Sequence, residues 1–118
     1  MMIALDMANV LESLGGDREL LRDVLGLLLQ ELPRHMESLC QAIASGNAEA
    51  IEQLAHHIKG ELSYLSLPEV SRNASNLEAS GREANIALSA SLYGRLEAGV
   101  LELLPQCTEW LATSAHKG

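Results

Sequence analysis

The feature that most constrains the fold is a leucine-rich run at residues 18–44, in which apolar side chains recur every three or four positions. This spacing matches the 3.6-residue turn and predicts an amphipathic helix of about seven turns. Pro33 lies inside the run, and we expect it to kink the helix or to split it in two. The apolar stripe consists of Leu20, Leu21, Val24, Leu27, Leu28, Leu32, Met36, Leu39 and Ile43.

Capping residues divide the first half of the chain into further helices. Asp6 can cap a short helix at roughly 7–14, and Asp17 can cap the long run. Asn47 follows a Ser-Gly pair that ends the run, and it caps a third helical segment at 48–65.

Two more helices complete the pattern. Pro68 suits the first turn of a helix at roughly 68–83. The last helix begins near Ile86, and Pro105 is expected to bend or end it. The side chains expected to face the core from these helices are Val70, Ala74, Leu77, Leu88, Leu92, Leu96, Val100, Leu103, Leu104, Trp110 and Leu111.

The fold class follows from these helices and from the lack of any long alternating segment. Phe is absent and aromatic residues make up 3% of the chain, which favours helix packing over sheets that rely on aromatic side chains. The sequence predicts a single all-α domain over residues 1–118. Its architecture should be an antiparallel up-and-down four-helix bundle with the short N-terminal helix capping one end.

Charge and cysteine usage limit the partners and the compartment. The net charge of −8 makes nucleic acid and anionic membrane surfaces poor partners. No run reaches the ~20 apolar residues of a membrane span, and the first residues lack the basic region of a secretory signal. Cys40 and Cys107 are isolated, so we expect buried thiols in a cytoplasmic protein.

The helix at 48–65 presents a histidine to solvent. At ~100° per residue, His56 points about 160° away from the apolar side of the helix. Lys59 lies on the same outer half of the helix, and three further residues lie above or below the histidine. The apolar side comprises Ile51, Leu54, Ile58, Leu62 and Leu65, and the three neighbours of His56 are Gln53, Gly60 and Ser63.

This exposed face has a plain interpretation and a functional one. A surface histidine beside a lysine is usually only a solvated face, but a glycine in mid-helix costs ~1 kcal/mol and is typical of a close approach by a partner. A metal site is not predicted. The adjacent His56 and His57 point about 100° apart, no His or Cys lies one turn further on, and His35 and His116 are isolated in sequence.

The segment Ala-His-His-Ile-Lys-Gly at residues 55–60 resembles the A-H-x-[LI]-K-G signature of histidine-phosphotransfer domains. The resemblance extends over most of the chain, and the Leu77-Glu78 pair looks like a Leu-Glu pair of the family. It departs at Ser66 and Leu67, where the family usually has glycine and alanine. These changes concern the docking surface more than the exposed histidine face.

The resemblance implies a function and roles for these residues. His56 would accept a phosphoryl group, Lys59 would neutralise it, and Gln53, Lys59, Gly60 and Ser63 would face the partner. Glu78 would orient the imidazole, although it can equally be a solvated neighbour of buried Leu77.

The partners implied are a response-regulator receiver domain, a hybrid histidine kinase, or both. The receiver would supply the aspartate, Mg²⁺ and most of the catalysis, so the chain would be a monomeric carrier without a cofactor or ATP site of its own. The alternative is a helical module that binds a signalling partner through the same face without being phosphorylated.

Overall fold

The computed structural model describes residues 4–115. Within them lie five α-helices and a 3₁₀ turn, and no strand occurs in this part of the chain, so the all-α prediction is confirmed. The predicted domain, 1–118, also includes residues 1–3 and 116–118, which lie outside the described residues. The helices are α1 (Met7–Ser13), α2 (Arg18–Ala44), α3 (Ala48–Leu62), α4 (Pro68–Arg82) and α5 (Ile86–Ala115), and the 3₁₀ turn is Ser63–Leu65.

Both internal prolines lie within continuous helices. Helix α2 runs through Pro33 and α5 runs through Pro105, so the first proline does not split its helix and the second does not end its own. Both prolines are exposed. The backbone hydrogen bond that each one removes is therefore lost on the solvent side, where water can replace it.

The four long helices enclose one aliphatic core. Helix α2 contacts α3 and α5, and α4 contacts the same two helices, while α1 packs on α2. Trp110 and Leu111 are half-buried against this core, in agreement with the prediction. The prediction is wrong for Leu88, which is 41% exposed, because the next residue, Ser89, is the fully buried one and one residue turns an α-helix by about 100°. Between residues 4 and 115, none of the helices has the length and apolar character needed to cross a membrane. The largest fully buried side chains include Leu21, Leu25, Leu32, Leu39, Ile51, Ile58, Leu62, Leu77, Leu96 and Leu103.

The apolar stripe of α2 is wider than the surface that the helix buries. Leu20 and Leu27 are 42% and 60% exposed, whereas Leu25, which the periodic pattern left out, is fully buried. Leu25 lies one turn from both Leu21 and Leu28, at the centre of the buried side. The two exposed leucines therefore lie at the edge of the stripe and remain available for contacts outside the core.

The prediction of two buried thiols is wrong for one of them. Cys40 is exposed and Cys107 is buried. Cys40 follows fully buried Leu39, and one residue turns an α-helix by about 100°, which takes the thiol out of the core. Desolvation raises the pKa of the Cys107 thiol to about 11, so this group stays protonated near neutral pH.

A glycine sets the distance between α3 and α4. A Cβ atom added to Gly81 would lie 2.6 Å from the backbone nitrogen of Glu52 and 3.0 Å from the carbonyl oxygen of Ala48. Any side chain here would push the two backbones apart. The close approach of α4 to the first half of α3 therefore depends on this residue.

Helices α2 and α4 end in the same way but with different residues in the left-handed position. Gly46 has a φ of 70° after α2, and Ala84 has a φ of 54° after α4. In both turns the amide of the residue after the left-handed one donates a 2.9 Å hydrogen bond to a carbonyl oxygen of the last helical turn. Glycine is the usual left-handed residue in this arrangement. Ala84 adopts it at the energetic cost that a Cβ atom carries in the left-handed region.

We therefore expect Ala84→Gly to stabilise the fold. The substitution removes the steric strain of the left-handed conformation, but glycine also increases the conformational entropy of the unfolded chain. The net effect should raise the free energy of unfolding by roughly 0.5–1 kcal/mol. Urea unfolding followed by circular dichroism measures it. Gly46→Ala is the matched control and should lower the free energy by about 1 kcal/mol. Equal, small effects in both variants would show that a Cβ atom in the left-handed position costs little in either turn.

Candidate functional site

His56 lies on the solvent side of α3. Its side chain is 67% exposed, while Ile51, Ala55 and Ile58 on the same helix are fully buried. The outward orientation predicted from helical phase is confirmed. The sequence produces it because the apolar residues of α3 recur with the helical period and leave position 56 opposite to them.

Glu78 on α4 contacts the ring of His56. One carboxylate oxygen, Oε2, lies 3.0 Å from the Nδ1 atom, well within reach of a direct hydrogen bond. An ionised carboxylate only accepts hydrogen bonds, so Nδ1 carries the proton. In the neutral imidazole this arrangement leaves the lone pair on Nε2, the nitrogen that has no bond to Glu78.

The same carboxylate also binds two cationic side chains. Lys59 donates from Nζ to Oε1 at 2.9 Å, and Arg82 donates to Oε2 at 3.4 Å. Hydrogen bonding from Lys59 holds the pKa of Glu78 below its ordinary value of 4.5; the charges of Lys59 and His56 act in the same direction, while desolvation opposes them. Glu78 is therefore ionised near neutral pH.

Arg82 ties α4 back to α3 at a second point. Its Nε atom donates to Glu52 Oε2 at 2.9 Å, one turn before His56 on α3. Gly81 lies next to Arg82 and allows the close contact between the helices. Arg82 therefore bonds α3 at the glycine contact itself, and Glu78 bonds His56 and Lys59 one to two turns further along α3.

The other predicted site residues lie along the exposed face of α3. Gln53 and Gly60 are both exposed, one turn before and one turn after His56. A Cβ atom at Gly60 would meet nothing within 4 Å, so packing inside the chain does not require glycine there. Ser63 is exposed at the end of the helix and donates from Oγ to the carbonyl of Gly60 at 2.6 Å.

The structure gives a physical reason for the glycine that the family usually has at position 66. Ser66 has a φ of 53° and a ψ of 50°, in the left-handed region. Glycine adopts this conformation without the steric cost that serine carries. The corner between α3 and α4 therefore has a left-handed residue at position 66, with serine in place of the glycine that is usual in the family.

A groove with a volume of about 670 Å³ runs beside His56, between α2 and α3. We call it the His56 groove. Leu27 and Tyr64 on its walls are 60% and 50% exposed. The groove therefore combines exposed apolar side chains with polar groups beside an exposed imidazole. Its lining residues are Val24, Leu27, Leu28, Glu31, His35, His56, His57, Gly60, Glu61 and Tyr64.

The groove also contains a cluster that the sequence analysis missed. His35 Nδ1 lies 2.9 Å from Glu61 Oε1, and the rings of His35 and His57 are 4.4 Å apart, edge to face. Glu61 lies one turn after His57, so the spacing of these two ligands is visible in the sequence. The approach of His35 from α2 has no local signal. His116, also considered isolated, lies outside the described residues.

The model of the Hpt domain family matches residues 23–107. The chain belongs to the Hpt domain family. The structure of this Hpt domain is similar to the crystal structure of histidine-containing phosphotransfer protein B from Pseudomonas aeruginosa PAO1. The TM-score is 0.76 and the identity 22%, over 97% of this chain and 96% of that chain. At this identity the similarity establishes the fold, and no curated protein matches the chain.

Membership of the family assigns the chain a coarse function. Hpt domains are histidine-phosphotransfer carriers rather than catalysts, and the family works with response regulators and kinases in phosphorelays. The roles of the individual residues remain predictions.

We expect Glu78→Gln to lower the free energy of unfolding near pH 7 by roughly 0.5–1 kcal/mol, the range for ion pairs near solvent. A carboxyl whose folded pKa is lowered stabilises the fold above its unfolded pKa, and this contribution is lost as the pH falls through the folded value. The difference between wild type and variant should therefore shrink below about pH 4.5, the ordinary value for this group.

Urea unfolding at several pH values measures this difference. Glu37, which is exposed on α2, provides the matched control, and Glu37→Gln should leave the free energy of unfolding nearly unchanged at neutral pH. If the Glu78→Gln variant lowered the free energy of unfolding by the same amount at acidic as at neutral pH, Glu78 would not be the ionised partner of His56, Lys59 and Arg82.

Proposed function

We propose that the chain accepts a phosphoryl group on His56 Nε2 and exchanges it with an aspartate of a response-regulator receiver domain. The observation that carries this proposal is the 3.0 Å contact between His56 Nδ1 and Glu78 on a side chain that is 67% exposed. A carboxylate on Nδ1 fixes the tautomer in which Nε2 is the nucleophile. Exposure leaves that nitrogen accessible to the phosphorylated partner.

The transfer itself needs little from this chain beyond an oriented nucleophile. The Nε2 lone pair attacks the phosphorus, the N–P bond forms, and the P–O bond to the receiver aspartate breaks, so that the aspartate leaves as a carboxylate. The imidazole gains positive charge in this step. Glu78, whose pKa is held below the ordinary value, stabilises that charge from the Nδ1 side.

Lys59 supports the phosphorylated state in this proposal. Its ammonium lies on the same carboxylate as His56, 2.9 Å from Glu78 Oε1, one turn along α3 from the imidazole. A lysine side chain has four rotatable bonds and can turn towards the phosphoryl oxygens, where a charge-assisted hydrogen bond stabilises the added negative charge. Arg82 remains on Glu78 to balance its charge.

The receiver would cover the His56 groove. Leu27 and Tyr64 offer apolar surface there, and Gly60 leaves the backbone beside His56 uncovered. Exposed large apolar side chains in a surface patch are typical of protein interfaces. The receiver would bring the aspartate and Mg²⁺, since Hpt domains are carriers rather than catalysts.

Three further inferences accompany this function. The links between α2 and α3 and between α4 and α5 contain only residues 45–47 and 83–85, and short links favour an antiparallel up-and-down bundle. We infer a monomer, because one chain supplies His56, Lys59 and Glu78. We infer a cytoplasmic location because the exposed thiol of Cys40 is compatible with a reducing compartment.

His56→Gln should abolish phosphorylation, while His57→Gln should retain it. The imidazole of His56 is the nucleophile in the proposal, and an exposed polar substitution usually changes stability by less than ~0.5 kcal/mol. Incubation with a ³²P-phosphorylated receiver followed by acid treatment measures acid-labile phosphate on each variant. Binding of the receiver without any acid-labile phosphate on the wild type would instead favour a non-phosphorylated interaction module.

Leu27→Asp should slow transfer at least about tenfold, because burying a leucine at an interface contributes ~1.5–3 kcal/mol and a buried aspartate adds a desolvation cost. Leu101→Asp is the matched control, since Leu101 is 64% exposed and Leu27 is 60% exposed, but Leu101 does not line the groove. Stopped-flow or quench-flow transfer rates distinguish them. Equal rates in the two variants would move the docking surface away from the His56 groove.

A further inference from the structure

Three side chains with metal-binding atoms meet on the wall of the His56 groove. His57 and Glu61 lie one turn apart on α3, and His35 reaches them from α2. One possible ligand atom from each residue lies within 4.8 Å of the other two. Two ligands at positions i and i+4 of one helix face the same side, as they do in helical zinc motifs.

The three ligand atoms indicate which metal ion the cluster would bind. Two imidazole nitrogens and one carboxylate oxygen are the protein ligands of many zinc sites that keep a fourth position open for water. Ca²⁺ and Mg²⁺ prefer sets made of oxygen alone. The cluster contains no thiol, which disfavours ions that require soft ligands. Zn²⁺ is therefore the ion that this set fits best.

The spacing requires only small movements. Ligand atoms about 2.0–2.1 Å from a tetrahedral zinc ion lie about 3.3 Å from one another. His35 Nδ1 and Glu61 Oε1 are already 2.9 Å apart. The His35 and His57 rings meet edge to face with an interplanar angle of 70°, so rotation about the side-chain bonds can turn a nitrogen of each ring towards one point.

The surroundings favour a cation and hold the ligands in place. His35 and Glu61 have side chains that are only 24% and 15% exposed, which restricts their rotamers before an ion binds. Glu31 lines the same groove, and the chain carries a net charge of −8. Partial burial and negative potential both strengthen the binding of a divalent cation.

We propose that His35, His57 and Glu61 form a Zn²⁺ site in the His56 groove, with water completing the coordination. The site is separate from the His56–Glu78 pair, because His56 Nδ1 is bonded to the carboxylate on α4 and none of the three ligands contacts Glu78 in that network. The proposal does not depend on phosphotransfer, and its test uses the unphosphorylated chain.

The test is metal titration of the full chain without an affinity tag. Zn²⁺ is followed by isothermal titration calorimetry, and Co²⁺, as a spectroscopic substitute, by visible absorption. We expect one ion per chain and a four- or five-coordinate Co²⁺ spectrum without a thiolate charge-transfer band. His57→Gln and Glu61→Gln should each lower the affinity at least about tenfold, since each removes a direct ligand. His57 is exposed, so its variant tests the site without disturbing the core.

His56→Gln and Cys40→Ser are the matched controls, because they remove the adjacent imidazole and the exposed thiol without touching the three ligands. Both should bind Zn²⁺ within about twofold of the wild type. Unchanged affinity in His57→Gln would overturn the proposal. Loss of binding in His56→Gln or in Cys40→Ser would overturn it as well, because the ion would then lie on other residues.

Discussion

The site depends on how closely α4 approaches α3. Gly81 makes that approach possible, since a Cβ atom there would lie 2.6 Å from the backbone of Glu52. Glu78 lies one turn before Gly81 on the same helix, so its side chain reaches α3 only at this separation. A wider gap would leave His56 and Lys59 as two independent surface residues. The close helix contact is what combines them into one electrostatic unit.

A single carboxylate then holds three side chains together. Glu78 accepts from His56, Lys59 and Arg82 at 3.0, 2.9 and 3.4 Å. Because it is only 13% exposed, water competes weakly for its oxygens. Charged groups in such a partly desolvated position interact more strongly than exposed pairs. The carboxylate therefore keeps a fixed position beside Nδ1 of the imidazole.

Helical phase predicted the residues that share one helix. The outward direction of His56 and the flanking positions of Lys59 and Gly60 follow from spacing alone. The capping residue before α3 and Pro68 predict where α3 and α4 begin. Glu78 was reachable only through the family resemblance, because it lies on another helix. The physical limit is that spacing describes one element, whereas contacts between elements depend on packing distance.

The same limit explains what the sequence analysis missed. His35 joins His57 and Glu61 across the α2–α3 interface, and no local pattern connects residue 35 with residue 61. Leu27 was assigned to an apolar stripe whose width exceeded the buried surface of α2. Cys40 was placed inside because thiols are usually buried, although its position next to Leu39 already turned it outward.

The second contact of Arg82 has a consequence for the energy of any change at His56. Arg82 bonds both Glu78 on α4 and Glu52 on α3, so the two helices stay linked when the bonds of Glu78 are redistributed. When the charge on the imidazole changes, rotation of the Lys59 side chain can compensate for it, while the backbones of α3 and α4 keep their positions. A group added to His56 would then require rotation of side chains and no movement of the two helix backbones.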